Sequence, residues 1–237
     1  MKTTTKNITT LLSASVIVFA SSTVTAQDLS ITVTNLTQGL HFTPVITAAH
    51  ASDNHMFMVG SAATSELQMM AEGGDISGLV SILSNADANI SENPAAGLLA
   101  PGMSTTYDLT NDSANTHLSM AAMILPSNDG FVGLDSWKIP TEVGTYTINL
   151  NAYDAGTEAN NELVNGGGAL GVLGIPAAPG GDAGTNGTGV TDTESNTMIH
   201  IHRGTLGDDA ADGGKSDLNN SIHRWLNPVA KLTITIQ

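Results

Sequence analysis

The chain has 237 residues and a formal charge of −15, with 22 acidic side chains against seven basic ones. A surface of that sign repels nucleic acid and anionic lipid, so partners of those classes are not expected. Charged residues make up only 12% of the chain and aromatics 4%, and there is no cysteine; Gly, Ala, Asn, Ser and Thr fill the remainder, which points to a β- and loop-rich fold without disulfides.

In chain order, residues 1–26 read as a signal peptide. Lys2 and Lys6 form a basic start, Leu11 to Ala20 an apolar stretch, and Val24-Thr25-Ala26 a small-residue cleavage site before Gln27. The apolar stretch is too short to cross about 30 Å of hydrocarbon. No other long apolar run follows, so a secreted protein, periplasmic or extracellular and without a membrane span, is expected. Residues 27–237 are expected to form one domain around one core.

Leu29-Ser-Ile-Thr-Val-Thr alternates apolar and polar residues and predicts a first strand with Leu29, Ile31 and Val33 facing inward. Residues 41–47 read as a second extended segment with Pro44 at an edge or bulge. Residues 64–84 read as two short helices across one end of a sheet. Ser65 and Gln68 have capping-box spacing, and Gly73-Gly74 ends the first helix. Asp75 caps the second, whose Ile76, Leu79, Val80 and Leu83 share one face.

From residue 100 onward strand signals dominate: 104–109, a face of Leu118, Met120, Ala122 and Ile124, then 131–139, a face of Tyr146, Ile148, Leu150 and Ala152, then 198–202, and finally Ala230, Leu232, Ile234 and Ile236. Runs of strands with turn signals predict an all-β sandwich or barrel. Residues 165–190 form a Gly-rich loop insertion without periodicity. The polar stretch from Gly207 to Asn220 has the aspartate start of an EF-hand loop. It fails at Ala210 and at Asn219, so it reads as a solvated loop.

Two acidic words stand apart: Ser127-Asn128-Asp129-Gly130-Phe131-Val132-Gly133-Leu134, and Tyr153-Asp154-Ala155-Gly156-Thr157-Glu158. Acids at strand ends are what an oxygen-ligated cation needs, since calcium takes several carboxylate and carbonyl oxygens at about 2.3–2.6 Å. Together the words resemble the spondin N-terminal domain, whose pattern runs Ser-Pro-Asp-Trp-Phe-Val-Gly-Val and then Tyr-Asp-Ala-Gly-Thr-Asp. The segment from Trp225 to Ala230 is similar to the tail of bacterial members, which extends the likeness over about 29–237.

The resemblance implies an antiparallel, C2-like β-sandwich of about eight strands with short helices in the connections, and a Ca2+ site at one end. Carried over position by position, the ligands fall on Asp129, Asp154 and Glu158. Gly130 stands where the pattern has Trp, and Glu158 where it has Asp. The implied role is a secreted adhesion or binding module for an extracellular matrix, glycan or cell-surface partner. Each acid alone reads as a turn residue, but three clustered carboxylates repel unless a cation sits among them. Asn161 and Glu162 are additional candidate ligands. Asp135, six residues beyond Asp129, reads as a hydrogen-bonding residue of the strand.

A second reading is a periplasmic or secreted copper- or zinc-binding protein. His200 and His202 lie two apart in an extended segment. His41, His50, His55, His117 and His223 are further nitrogen donors, and Met56, Met58, Met69, Met70, Met120 and Met123 offer thioethers. The plainer alternative turns Ile199 and Ile201 to the core and both histidines to solvent. An enzyme is not expected: there is no nucleophile elbow, no phosphate-cradling loop and no dinucleotide fingerprint. A Ser–His–Asp triad leaves no fixed order in sequence, and nothing favours one.

Overall fold

The computed structural model describes residues 2, 27–180 and 184–237. The signal-peptide reading therefore falls outside the described residues, apart from Lys2. Ten strands and two helices form the frame: β1 Leu29–Asn35, β2 His41–Phe42, β3 Ile46–His50, α1 Ser65–Gly73, α2 Ser77–Asn85, β4 Asn89–Glu92, β5 Ser104–Leu109, β6 His117–Leu125, β7 Gly130–Lys138, β8 Gly144–Asp154, β9 His200–Ile201 and β10 Ala230–Ile236.

All the named pairings are antiparallel. Eight strands lie on one continuous path, β4-β3-β6-β7-β8-β10-β1-β5, with β2 added beside β6 and β9 beside β8. The path folds into two layers because β8 belongs to both. Its residues Gly144 to Leu150 pair with β10, and Asn151 to Asp154 pair with β7. The handover falls where Asn227 Oδ1 accepts the Ala152 N–H at 2.7 Å. The all-β architecture is as the runs of strand signals predicted, and the sandwich is the form the resemblance implied.

One core lies between the layers. The inward residues Ile31 and Val33 of β1 and Leu232 and Ile234 of β10 meet Leu118, Met120, Ala122 and Ile124 of β6. The outward threonines of β1 pair across the sheet, Thr32 with Thr106 at 2.8 Å and Thr34 with Ser104 at 2.9 Å. β6 is apolar on its other face too, through Ala121, Met123 and Leu125, so that face also needs cover. α1 supplies Leu67, Met70 and Ala71, and α2 supplies Leu79 and Leu83, in a second core with Ile46 and Phe131. The helices therefore lie on the outer face of a sheet, not across its end as expected. The second apolar face of β6 is the reason.

Local signals explain most boundaries. Thr64, one residue before the expected cap, accepts the Leu67 N–H at 3.2 Å and starts α1. Gly74, in the left-handed region, ends it. Asp75 accepts the Ser77 N–H at 2.9 Å ahead of α2. The extended segment around Pro44 divides into β2 and β3, because proline offers no N–H to a ladder. β4 carries no strand signal of its own: Asn89-Ile-Ser-Glu holds one apolar residue, and the strand forms by pairing with β3 at the sheet edge.

Candidate metal centre at the acidic rim

Asp129 immediately precedes β7, and Asp154 ends β8. The pairing of Gly130 with Asp154 puts both at one end of the sandwich, where Ala155 N–H also donates to the Asp129 carbonyl at 3.2 Å. Glu158 follows in the same turn. All three acids are buried, at 0%, 1% and 2% exposure. The structure thus brings together the three residues singled out from the sequence.

Their oxygens are not equally used. Asp129 Oδ2 accepts from Thr157 N–H at 2.7 Å, Glu158 N–H at 3.1 Å and the Thr157 hydroxyl at 3.2 Å. Glu158 Oε2 accepts from Asn128 Nδ2 at 3.1 Å and Gly174 N–H at 3.0 Å. Asp154 uses both oxygens, one on Gly156 N–H at 2.8 Å and one on Asn160 Nδ2 at 2.7 Å. Asp129 Oδ1 and Glu158 Oε1 are buried without any partner.

The electrostatics follow from burial. Desolvation raises Asp129 well above the ordinary carboxylate range, and Asp154 and Glu158 beside it push in the same direction. Burial raises Glu158 to about 7. Asp154 is also raised by burial, against the pull of its hydrogen bonds. The His200 ring stands beside the cluster, with Nε2 3.8 Å from Asp154 Oδ2. Among the described residues no Lys or Arg pairs with these acids. Nor does any set of three His, Asp or Glu side chains among them stand close enough to hold a metal ion unaided.

The turn that carries Asp154 requires glycine at 156. Its φ is +72°, and a Cβ there would lie 2.7 Å from the Thr197 carbonyl carbon. Gly130 is also constrained: a Cβ would meet Ser127 Oγ at 2.7 Å and His202 Cδ2 at 3.1 Å. His202 and the Ser127 turn fill the space where the resembled pattern carries a Trp side chain.

Asn128, which no sequence signal marks, ties the surroundings of the site together. Asn128 bridges Glu158 and Asn161 through its Nδ2 and accepts the Glu162 N–H at 3.1 Å. Glu162 is not turned to the three acids. Its carboxylate accepts Leu206 N–H at 2.6 Å, Gly207 N–H at 2.8 Å and the Ser216 hydroxyl at 2.5 Å, holding a distant loop. The Gly207–Asn220 stretch is likewise built rather than merely solvated: Asp208 accepts N–H groups from Ala210, Lys215 and Ser216.

The histidine pair differs from expectation. Ile199 is buried, but Ile201 is exposed and His202 is buried. His202 Nδ1 accepts the Gly204 N–H at 2.9 Å, its ring lies 4.8 Å from that of Trp225, and burial holds it down to about 3. Met120 packs in the core between the layers, and Met56, Met70 and Met123 pack under the helices. Their thioethers fill hydrocarbon space.

At the other end of β6 and β7, Asp135 accepts the Met56 N–H at 3.0 Å and meets His55 Nδ1 at 2.6 Å, the tethering role read for it. His55 uses that same nitrogen for Ser136 Oγ at 3.1 Å. His50 Nε2 meets Ser119 Oγ at 2.7 Å, with both residues wholly buried.

A family model described as Spondin_N matches residues 33–163, which include Asp129, Asp154 and Glu158. The matched span is shorter than the 29–237 of the resemblance and stops before the Gly-rich loop. No curated protein sequence matches the chain.

Proposed function

The chain belongs to the spondin N-terminal domain family, an extracellular binding- or adhesion-type module, and from that premise we propose that it is a calcium-loaded adhesion domain. The observation that carries this reading is the pair of buried carboxylate oxygens, Asp129 Oδ1 and Glu158 Oε1, that find no donor in the protein. A buried, unpaired carboxylate is costly. A proton or a hard cation relieves it, and the donor set is all oxygen, as calcium prefers over softer metals.

The residues fit such an ion, though not as a closed set. Asp129 and Glu158 would offer their free oxygens. Asp154, already bonded through both, would contribute charge and hold the turn. Backbone carbonyls and water would supply the remaining oxygens, as is common for calcium. When bound, the ion supplies charge neutralisation and ties the turn after Asp154 to the start of β7. The partner is an extracellular matrix, glycan or cell-surface ligand, met outside the cell. Among the described residues no helix is long and apolar enough to cross a membrane.

Titration calorimetry with Ca2+ on chelator-stripped protein tests the ion directly. The expected result is saturable binding that disappears in Asp129→Asn and Glu158→Gln, with a Tm that rises with calcium because the ion binds only the folded chain. A flat titration together with an unchanged Tm would remove the calcium reading and leave protonation as the way the acids are relieved. A glycan array run with calcium and with chelator then tests whether the ion governs partner binding.

A further inference from the structure

The chain has two arginines, Arg203 and Arg224. Both line one surface pocket of about 560 Å3, together with Thr205, Leu206, Trp225 and Leu226. This is a marked concentration of positive charge in a protein of net charge −15. Among the described residues neither guanidinium is paired with a carboxylate, despite the abundance of acids. Arg224 Nε donates to the Leu206 carbonyl at 2.5 Å, which holds the side chain against the pocket wall.

The other walls are mainly apolar and carry no charge. Leu226 is 85% exposed and Leu206 49%. Trp225 is nearly buried, and its Nε1–H has no acceptor in the protein. The Thr205 hydroxyl donates to the His223 carbonyl at 2.6 Å. None of the six lining side chains is acidic. The pocket therefore presents two guanidiniums next to uncovered hydrocarbon, within the volume range of small-molecule sites.

We infer that this pocket binds a small monocarboxylate with an apolar chain, such as a medium-chain fatty acid. The guanidiniums take the carboxylate, and Leu206 and Leu226 cover the chain. Charge argues against an extended polyanion. Beyond a Debye length of about 8 Å such a ligand would run onto the acidic remainder of the surface, whereas a single carboxylate sees the two arginines. The inference uses none of the three rim acids and stands apart from the calcium reading.

The test is calorimetric titration of the full chain with octanoate, with 1-octanol and acetate as the tail-only and charge-only arms. Octanoate is expected to bind saturably, and both controls at least tenfold more weakly. Arg203→Gln is expected to weaken octanoate about tenfold, the scale of one charged hydrogen bond, with part of the loss recovered in Arg203→Lys. Circular dichroism confirms that the variants fold. Four outcomes would overturn the inference: no octanoate binding up to about 1 mM, octanol binding as tightly, acetate binding as tightly, or an Arg203→Gln variant that binds unchanged.

Discussion

The rim acids and the loop acids meet their surroundings in opposite ways. In the long region between β8 and β10, carboxylates act as the packing centres of the chain. Glu162 gathers Leu206, Gly207 and Ser216. Asp217 accepts N–H groups from Val164, Thr185 and Gly187 at 2.8 Å each. Three backbone amides lower Asp208. Asp217 is pushed up by partial burial, but its amide donors outweigh this and leave it lowered. At the rim, burial wins instead and Asp129 and Glu158 are raised. A loop acid with its oxygens filled by amides is architecture, while a rim acid keeps a buried oxygen that no donor of the protein reaches.

The largest expected effect attacks the loop side of that contrast. Glu162→Ala strips three donors of their buried acceptor and is expected to cost about 3 kcal/mol or more, read by urea unfolding. A loss below about 1 kcal/mol would show that the loops hold without their acids. Glu158→Gln should move the other way in metal-free protein. At pH 8 it removes a buried charge lacking a full set of donors and is expected to stabilise by about 2 kcal/mol, while abolishing any gain from calcium. Destabilisation by Glu158→Gln in metal-free protein would place Glu158 with the loop acids.

The pH dependence sharpens the same point. Glu158 has its folded pKa raised from 4.5 to about 7, so the folded state holds the proton more tightly than the unfolded one. Its contribution is complete below about 4.5 and is lost as pH rises through about 7. His202, lowered from 6.5 to about 3, works in the other sense and costs stability as pH falls below 6.5. Measuring unfolding across this range in the parent and in Glu158→Gln, and taking the difference, isolates the acid. That difference should favour the parent at pH 5 relative to pH 8 without metal, and the calcium-induced rise in Tm should grow over the same interval. The smallest effect is expected in the sandwich itself, where Thr32→Val removes an exposed hydroxyl pair with Thr106 and should change stability by under about 0.5 kcal/mol.

The two regions also differ in how much of them can be read from sequence. β1, β6 and β10 announce themselves because one or both faces are apolar at strand spacing, a signal carried by neighbours in the chain. Asp129 and Asp154 are legible for a similar reason, standing at the ends of adjacent strands. Glu162 is opaque: its partners lie 44 to 54 residues further on, and nothing local distinguishes it from a turn acid. β4 and the seating of the helices were hidden because both depend on what the far side of β6 needs. His202 reads as a surface residue by alternation, and only the arrival of Trp225 beside it makes its burial intelligible.

The shared strand β8 has a mechanical corollary. A sandwich of two separate sheets can slide or gape when its ends are tugged. Here the residues just ahead of Asp154 bond to one layer and those before Asn151 to the other, so the layers are hinged along a common rail. Tension applied at the acidic end would travel along that rail into β10 and β1, loading many ladder bonds in parallel instead of prising the layers apart.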